Sequence, residues 1–166
     1  MSKMSGKSAN FELKFDSRAK KITSIALLIL FIFGIYCIVS GFRETVIFFS
    51  LATAIFFLFS MMPTSVEIKN NTIKVKRVLG STTICFKPGS VKEIKLLRDP
   101  DLGRRLLIGT AGLFGWYGVF ILDGKSTLVY SRKCRDLVLV RAGRNYVFGV
   151  ENPDAFVDVL ENMLKN

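Results

Sequence analysis

The sequence predicts an α+β protein: an N-terminal transmembrane helical hairpin followed by an antiparallel β-barrel or sandwich capped by a C-terminal helix. Three observations carry this. Residues 22–62 are almost continuously apolar, residues 65–150 alternate in short runs separated by turn residues, and residues 152–164 place an apolar helical stripe behind a capping residue. They divide the 166 residues into a basic N-terminal segment at 1–21, a two-helix hairpin at 22–63 and a β-rich domain at 64–166. The last is long enough for one modest core.

Residues 22–42 form 21 positions without a charge, about 31 Å as a helix against a hydrocarbon core of about 30 Å. Residues 45–62 add 18 more and end before Pro63. As soluble core helices the two would need an apolar coat that the rest of the chain cannot supply. Only Gly41, Phe42, Arg43 and Glu44 break the block, so the helices are expected to be antiparallel neighbours with both chain ends on one side. The N-terminal flank has six basic residues, the turn one and the C-terminal part 17, which predicts a cell-membrane protein with two spans and both termini cytoplasmic. The long apolar run, followed by a second one and by no small-residue cleavage site, argues against a cleaved signal. Gly34 opposite Ser50, Ala52, Thr53 and Ala54 would allow close helix packing, or these small residues are ordinary lipid-facing composition. Neither span holds an Asp, Glu, Lys or Arg that could carry an ion or a proton.

The formal charge of +11 suits nucleic acid, an anionic membrane surface or an acidic partner. A chain held at a bilayer meets anionic lipid first, and no recognised nucleic-acid motif supports the first choice. Cys37, Cys85 and Cys134 lie far apart with no CxxC spacing, and the chain has no histidine. Ordinary zinc sites are therefore not expected, and the commonest general base and the Ser-His and Cys-His pairs are missing. Three cysteines cannot all pair, which fits a reducing compartment. The reading is of a protein without metal, cofactor or catalysis.

After Pro63 the period changes to two. Residues 65–69 and 72–76 flank Asn70-Asn71 as a hairpin, Leu79-Gly80 turns the chain into 81–86, and Lys87-Pro88-Gly89 turns it into 91–97. Four antiparallel strands are expected there. Four more are expected at 118–122, 126–131, 137–141 and 145–150, with Asp123-Gly124 and Ala142-Gly143 as turns.

Residues 98–117 read as a long irregular loop. Gly109, Gly112, Gly115 and Gly118 recur every third residue, with Leu113, Phe114, Trp116 and Tyr117 between them. No phosphate cradle has this spacing, and the apolar middle residues do not suit an RNA-binding GxxG loop. The glycines allow turns and close backbone approach, while the aromatics either fill a core beneath the loop or rest in the membrane interface. The chain closes with a helix: Asn152 as cap, Pro153 and Asp154 in the first turn, then Phe156, Val157, Leu160, Met163 and Leu164 on one stripe.

Strands closed by one C-terminal amphipathic helix, the Gly-Leu-Phe-Gly-Trp-Tyr-Gly run at 112–118, Asp-Leu-Val-Leu-Val at 136–140 and Asn-Pro-Asp-Ala-Phe at 152–156 resemble the prokaryotic pleckstrin-homology-like membrane proteins. The resemblance covers residues 64–166. It implies a binding or scaffolding module without shared enzymatic activity, often preceded by a transmembrane hairpin. Relatives that bind phosphoinositides use basic residues on the first strand pair, where Lys69, Lys74, Lys76 and Arg77 stand here, although their spacing departs from that pattern and a solvated strand face explains it equally.

The expected function is therefore a non-catalytic membrane protein presenting a cytoplasmic binding domain. The alternative is an accessory subunit of a larger membrane complex assembled through the hairpin. A candidate anionic-surface patch comprises Arg104, Arg105, Arg132, Lys133, Arg135, Arg141 and Arg144, for anionic lipid head groups or as a charged solvent face. Gly109, Gly112, Gly115, Trp116, Tyr117 and Gly118 form a candidate interface loop. Expected partners are the bilayer and a membrane or cytoplasmic protein. Asp99, Asp101 and Asp136 are the only acids near the loop, thin support for an enzyme.

Overall fold

The computed structural model describes residues 8–69, 72–87, 89–102 and 106–164. Helices α1 (Ser17–Ser40) and α2 (Phe42–Ser60) are both long and apolar enough to cross a membrane. Their connection is tighter than the four-residue turn expected. Gly41 alone joins them, at φ 128°, a conformation that glycine adopts at little steric cost. Arg43 and Glu44 belong to the first turn of α2, and the Thr45 hydroxyl donates to the Gly41 carbonyl at 2.8 Å. Gly34 packs against Phe48 rather than the 50–54 cluster: a Cβ there would lie 2.8 Å from the Phe48 ring. The Ser50 and Thr53 hydroxyls are spent on the carbonyls of Val46 and Phe49 in their own helix.

Ten strands lie among the described residues. β1 (Ala9–Glu12) precedes α1. After α2 come β2 (Pro63–Lys69), β3 (Thr72–Arg77), β4 (Ser81–Cys85), β5 (Glu93–Leu97), β6 (Leu106–Gly112), β7 (Gly115–Leu122), β8 (Lys125–Ser131), β9 (Leu137–Arg141) and β10 (Asn145–Gly149), then helix α3 (Pro153–Leu164). They form two sheets, β1-β2-β3-β4 and β5-β9-β10-β8-β7-β6. The sheets face each other as a sandwich and do not close into a barrel.

Two expectations of strand pairing are corrected. β5 pairs with β9, Ile94 opposite Val140, so the chain crosses to the second sheet after β4 and does not continue a meander. β10 runs parallel to β8, with Asn145 beside Thr127 and Gly149 beside Ser131. The chain leaves β8, skips one strand position to lay down β9, and returns through the 142–144 turn into the gap. A strand that is antiparallel to β9 there must be parallel to β8.

The core between the sheets joins Val66, Ile68, Ile73, Val75 and Ile84 to Tyr130, Val138, Val140 and Phe148. Phe156 and Leu160 of α3 seal it, and Asn152 caps that helix by accepting from the Ala155 N–H at 3.2 Å. The other face of the six-stranded sheet is also covered. Phe120, Val129, Leu137, Leu139 and Val147 lie beneath Leu102 and Ala19. Burial on both faces explains why β9 reads Leu-Val-Leu-Val without alternation.

Candidate functional site

The glycine-rich run is a β-hairpin, not the irregular loop expected. β6 and β7 meet at a two-residue turn, Leu113-Phe114, and the glycines are mirror images about it: Gly112 pairs with Gly115 and Gly109 with Gly118. A Cβ on Gly109 would lie 2.1 Å from the Tyr117 carbonyl oxygen, and one on Gly118 equally close to that of Ile108. The spacing of three therefore serves a close approach of two backbones, which only residues without a side chain permit.

The tip of this hairpin reaches both apolar helices. The Phe114 N–H donates to the Thr23 hydroxyl of α1 at 2.9 Å, and its ring meets Phe59 of α2 edge-on at 5.3 Å. The Tyr117 hydroxyl donates to the Leu58 carbonyl near the end of α2. These residues bury one another together with Met62, Ile55, Met61 and Val78. A Cβ on Gly112 would collide with Ile22 of α1 at 2.7 Å. Trp116 points the other way, into the second core beneath Leu102. The aromatics thus divide, Trp116 filling the domain while Phe114 and Tyr117 bind it to the helices.

Beside this junction is a cleft of about 310 Å³, walled by Phe57, Leu58 and Met61 of α2, by Ile108, Gly109, Tyr117, Gly118 and Val119 of the hairpin, and by Leu128 and Tyr130 of β8. Arg77 is its one charged residue among the described residues. The guanidinium meets the Met61 thioether at 3.1 Å and stands 5.9 Å from the centre of the Tyr130 ring, and its Nε is buried without a partner. Burial raises the hydroxyls of Tyr117 and Tyr130 above the ordinary tyrosine value, and Arg77 opposes this at both.

Among the described residues, the basic side chains singled out in the sequence do not form one face. Arg132, Lys133 and Arg135 follow β8 at the end of the sheet nearest the helices, whereas Arg141 and Arg144 lie at the opposite end with the Asp123-Gly124 turn. Arg141 bonds Glu93 at 2.9 Å and Asp123 at 2.8 Å, and Arg135 pairs with Asp99 at 3.3 Å. Arg144 is exposed and lines a separate cavity of about 550 Å³ with Lys125 and Asn145. Arg104 and Arg105 fall outside the described residues.

Arg132 has a structural task. Its guanidinium stacks on the Phe15 ring at 3.7 Å and donates to the Leu13 carbonyl at 3.0 Å, while burial pulls its pKa below the ordinary arginine value. It clamps the segment that leads from β1 into α1. In the same place the Cys134 thiol donates to the Asp16 carboxylate at 3.2 Å. Burial first, then this bond, pushes the thiol above its usual value, so the reactive thiolate is disfavoured. A cavity of about 370 Å³ beside it is bordered by Arg18, Asp99, Asp101 and Trp116, where Asp99 is already paired with Arg135.

One part of the junction escaped the sequence reading and another was not singled out. β1 lies within the segment read as a basic flank, although Ala9-Asn10-Phe11-Glu12-Leu13-Lys14-Phe15-Asp16 alternates apolar and polar residues without a break, a strand signal. Arg77 is named in the sequence only with Lys69, Lys74 and Lys76 on the first strand pair, and nothing local distinguishes it from Lys74 or Lys76. No family model, curated protein or solved structure matches this chain.

Proposed function

We propose that this chain is a non-catalytic integral membrane protein, with α1 and α2 as a transmembrane hairpin, both termini cytoplasmic, and a pleckstrin-homology-like domain held against the bilayer as a binding or scaffolding surface. The observation that carries the reading is the clamp between domain and helices. Phe114 and Tyr117 bond to Thr23 and to the Leu58 carbonyl, so the domain is packed on the helix ends and not strung from them by a linker. Large side chains around both helices remain uncovered, Phe31 at 66% and Phe56 at 63% exposed, as lipid-facing residues would be. A domain fixed in this way presents one constant face to the membrane surface and another to the cytoplasm.

Exposed Cys85 on β4 provides the test, because Cys37 and Cys134 are buried. A membrane-impermeant maleimide is expected to label Cys85 in inside-out vesicles and not in right-side-out ones until detergent is added. Equal labelling of intact vesicles of both orientations would overturn the topology.

A further inference from the structure

We propose that the cleft between the end of α2 and the β7–β8 face binds an anionic phospholipid, with the phosphate on Arg77 and the acyl chains leaving past Phe57 and Ile108. This rests on the membrane reading and names a ligand for it. Arg77 pairs with Pro63 in the β2–β3 ladder, so its guanidinium sits just where the second apolar helix gives way to the domain. With the two helices in a bilayer, that is the depth of a lipid head group.

The charge there is uncompensated. Arg141, Arg135 and Lys76 each meet a carboxylate, but among the described residues no ion pair reaches Arg77. Its contacts are the Met61 thioether and the ring and hydroxyl of Tyr130, all of them neutral, and its Nε has no partner. A half-buried guanidinium whose partners are all neutral is stabilised by an anion, and its planar fork matches two phosphate oxygens. A free phosphate ester offers the same oxygens, but the walls favour a lipid. They are aliphatic and aromatic, and the mouth is flanked by Ile108 at 75% and Phe57 at 59% exposure. A volume of about 310 Å³ holds a head group and leaves the chains in the bilayer.

The test uses the full chain in phosphatidylcholine vesicles doped with phosphatidylglycerol that carries a diazirine near its glycerol. Irradiation is expected to label the segment containing Ile108, Tyr117 and Val119. Unlabelled phosphatidylglycerol should compete and phosphatidylcholine should not. Arg77→Met should reduce labelling about tenfold, the loss of one good charged contact, while Arg135→Gln should leave it unchanged. Val119→Trp fills the cleft with Arg77 intact and should reduce labelling as well, so the result does not hang on one variant. Labelling indifferent to both cleft variants, or competed equally by phosphatidylcholine, would overturn the proposal, and competition by soluble glycerol phosphate as strong as by the lipid would overturn the choice of a lipid. An apolar carbene precursor dissolved in the same vesicles separates the two readings. If it labels α1 and α2 while the cleft stays unlabelled, the lipid site alone fails, and if it leaves the helices unlabelled the membrane reading fails with it.

Discussion

Asp16 sits where the N-terminal strap, the first apolar helix and the β8–β9 connection meet. Its backbone N–H donates to the Arg132 carbonyl at 3.0 Å, and its carboxylate accepts from the Arg18 N–H and the Cys134 thiol. Burial, the largest single influence, acts to raise its pKa. The hydrogen bonds from Cys134 and from the backbone of Arg18 and Ser17 outweigh it and leave the value below 3.8. A carboxyl whose folded value is depressed stabilises the fold above its unfolded value and loses that contribution as pH falls through the folded one. The cap also offsets the awkward placement of Arg18, Lys20 and Lys21 at the positive end of α1. Asp16→Ala is expected to cost about 1 kcal/mol at neutral pH, with the difference from the parent shrinking below pH 3.8. Denaturant unfolding in detergent at several pH values measures this, and a cost independent of pH would contradict the assignment.

The β6–β7 hairpin is the element on which the junction depends, and its glycines fix its form. Gly118→Ala would drive a Cβ to 2.1 Å from a backbone oxygen at φ 125°, and backbone cannot move aside as a side chain can. The expected loss is roughly 3 kcal/mol or more. Gly124 also has a positive φ, 71°, but a Cβ there meets nothing, so Gly124→Ala should cost only about 1–2 kcal/mol from the left-handed conformation. Thermal unfolding of the two variants compares them directly, and equal shifts would show that the mirror pairing is not what the glycines serve. The same element shows what could be read from the sequence. Eight of the strands, the C-terminal helix with its Asn152 cap and both apolar helices follow from periodicity and turn residues. β6 does not, because glycine is depleted from strands on average, and a run with one at every third position imitates a loop. Symmetry about Leu113-Phe114 is visible only once the two strands are laid side by side. Likewise, the parallel β8–β10 ladder and the neutral surroundings of Arg77 depend on which distant segments become neighbours. No local pattern encodes that.

At the scale of the whole molecule, the chain order constrains how the domain is completed. β1 and Leu13 precede the two apolar helices, yet they belong to the sheet and core that follow them. Phe11 sits opposite Val66, Leu13 is 2% exposed in the main core, and the Phe11 ring meets Phe156 edge-on at 5.0 Å. The sandwich can therefore close only after the chain has passed through both helices and returned. A fragment comprising residues 64–166 lacks the partner of β2, exposes that strand as a bare edge and leaves a hole where Leu13 was. It should be less stable than the full chain by about 2–5 kcal/mol, the range for emptying a large apolar core position, and it should self-associate along β2. Restoring residues 8–16 through a flexible linker in place of residues 17–62 should recover the share of stability that β1 and Leu13 supply and end the association along β2, because the strand needs proximity. The helix contacts of Phe114 and Tyr117 stay lost in both forms. Chemical unfolding and sedimentation of the two soluble forms measure this. If the fragment without the strap proved as stable and as monomeric as the one with it, β1 would be an accessory to the domain and the order of closure would carry no weight.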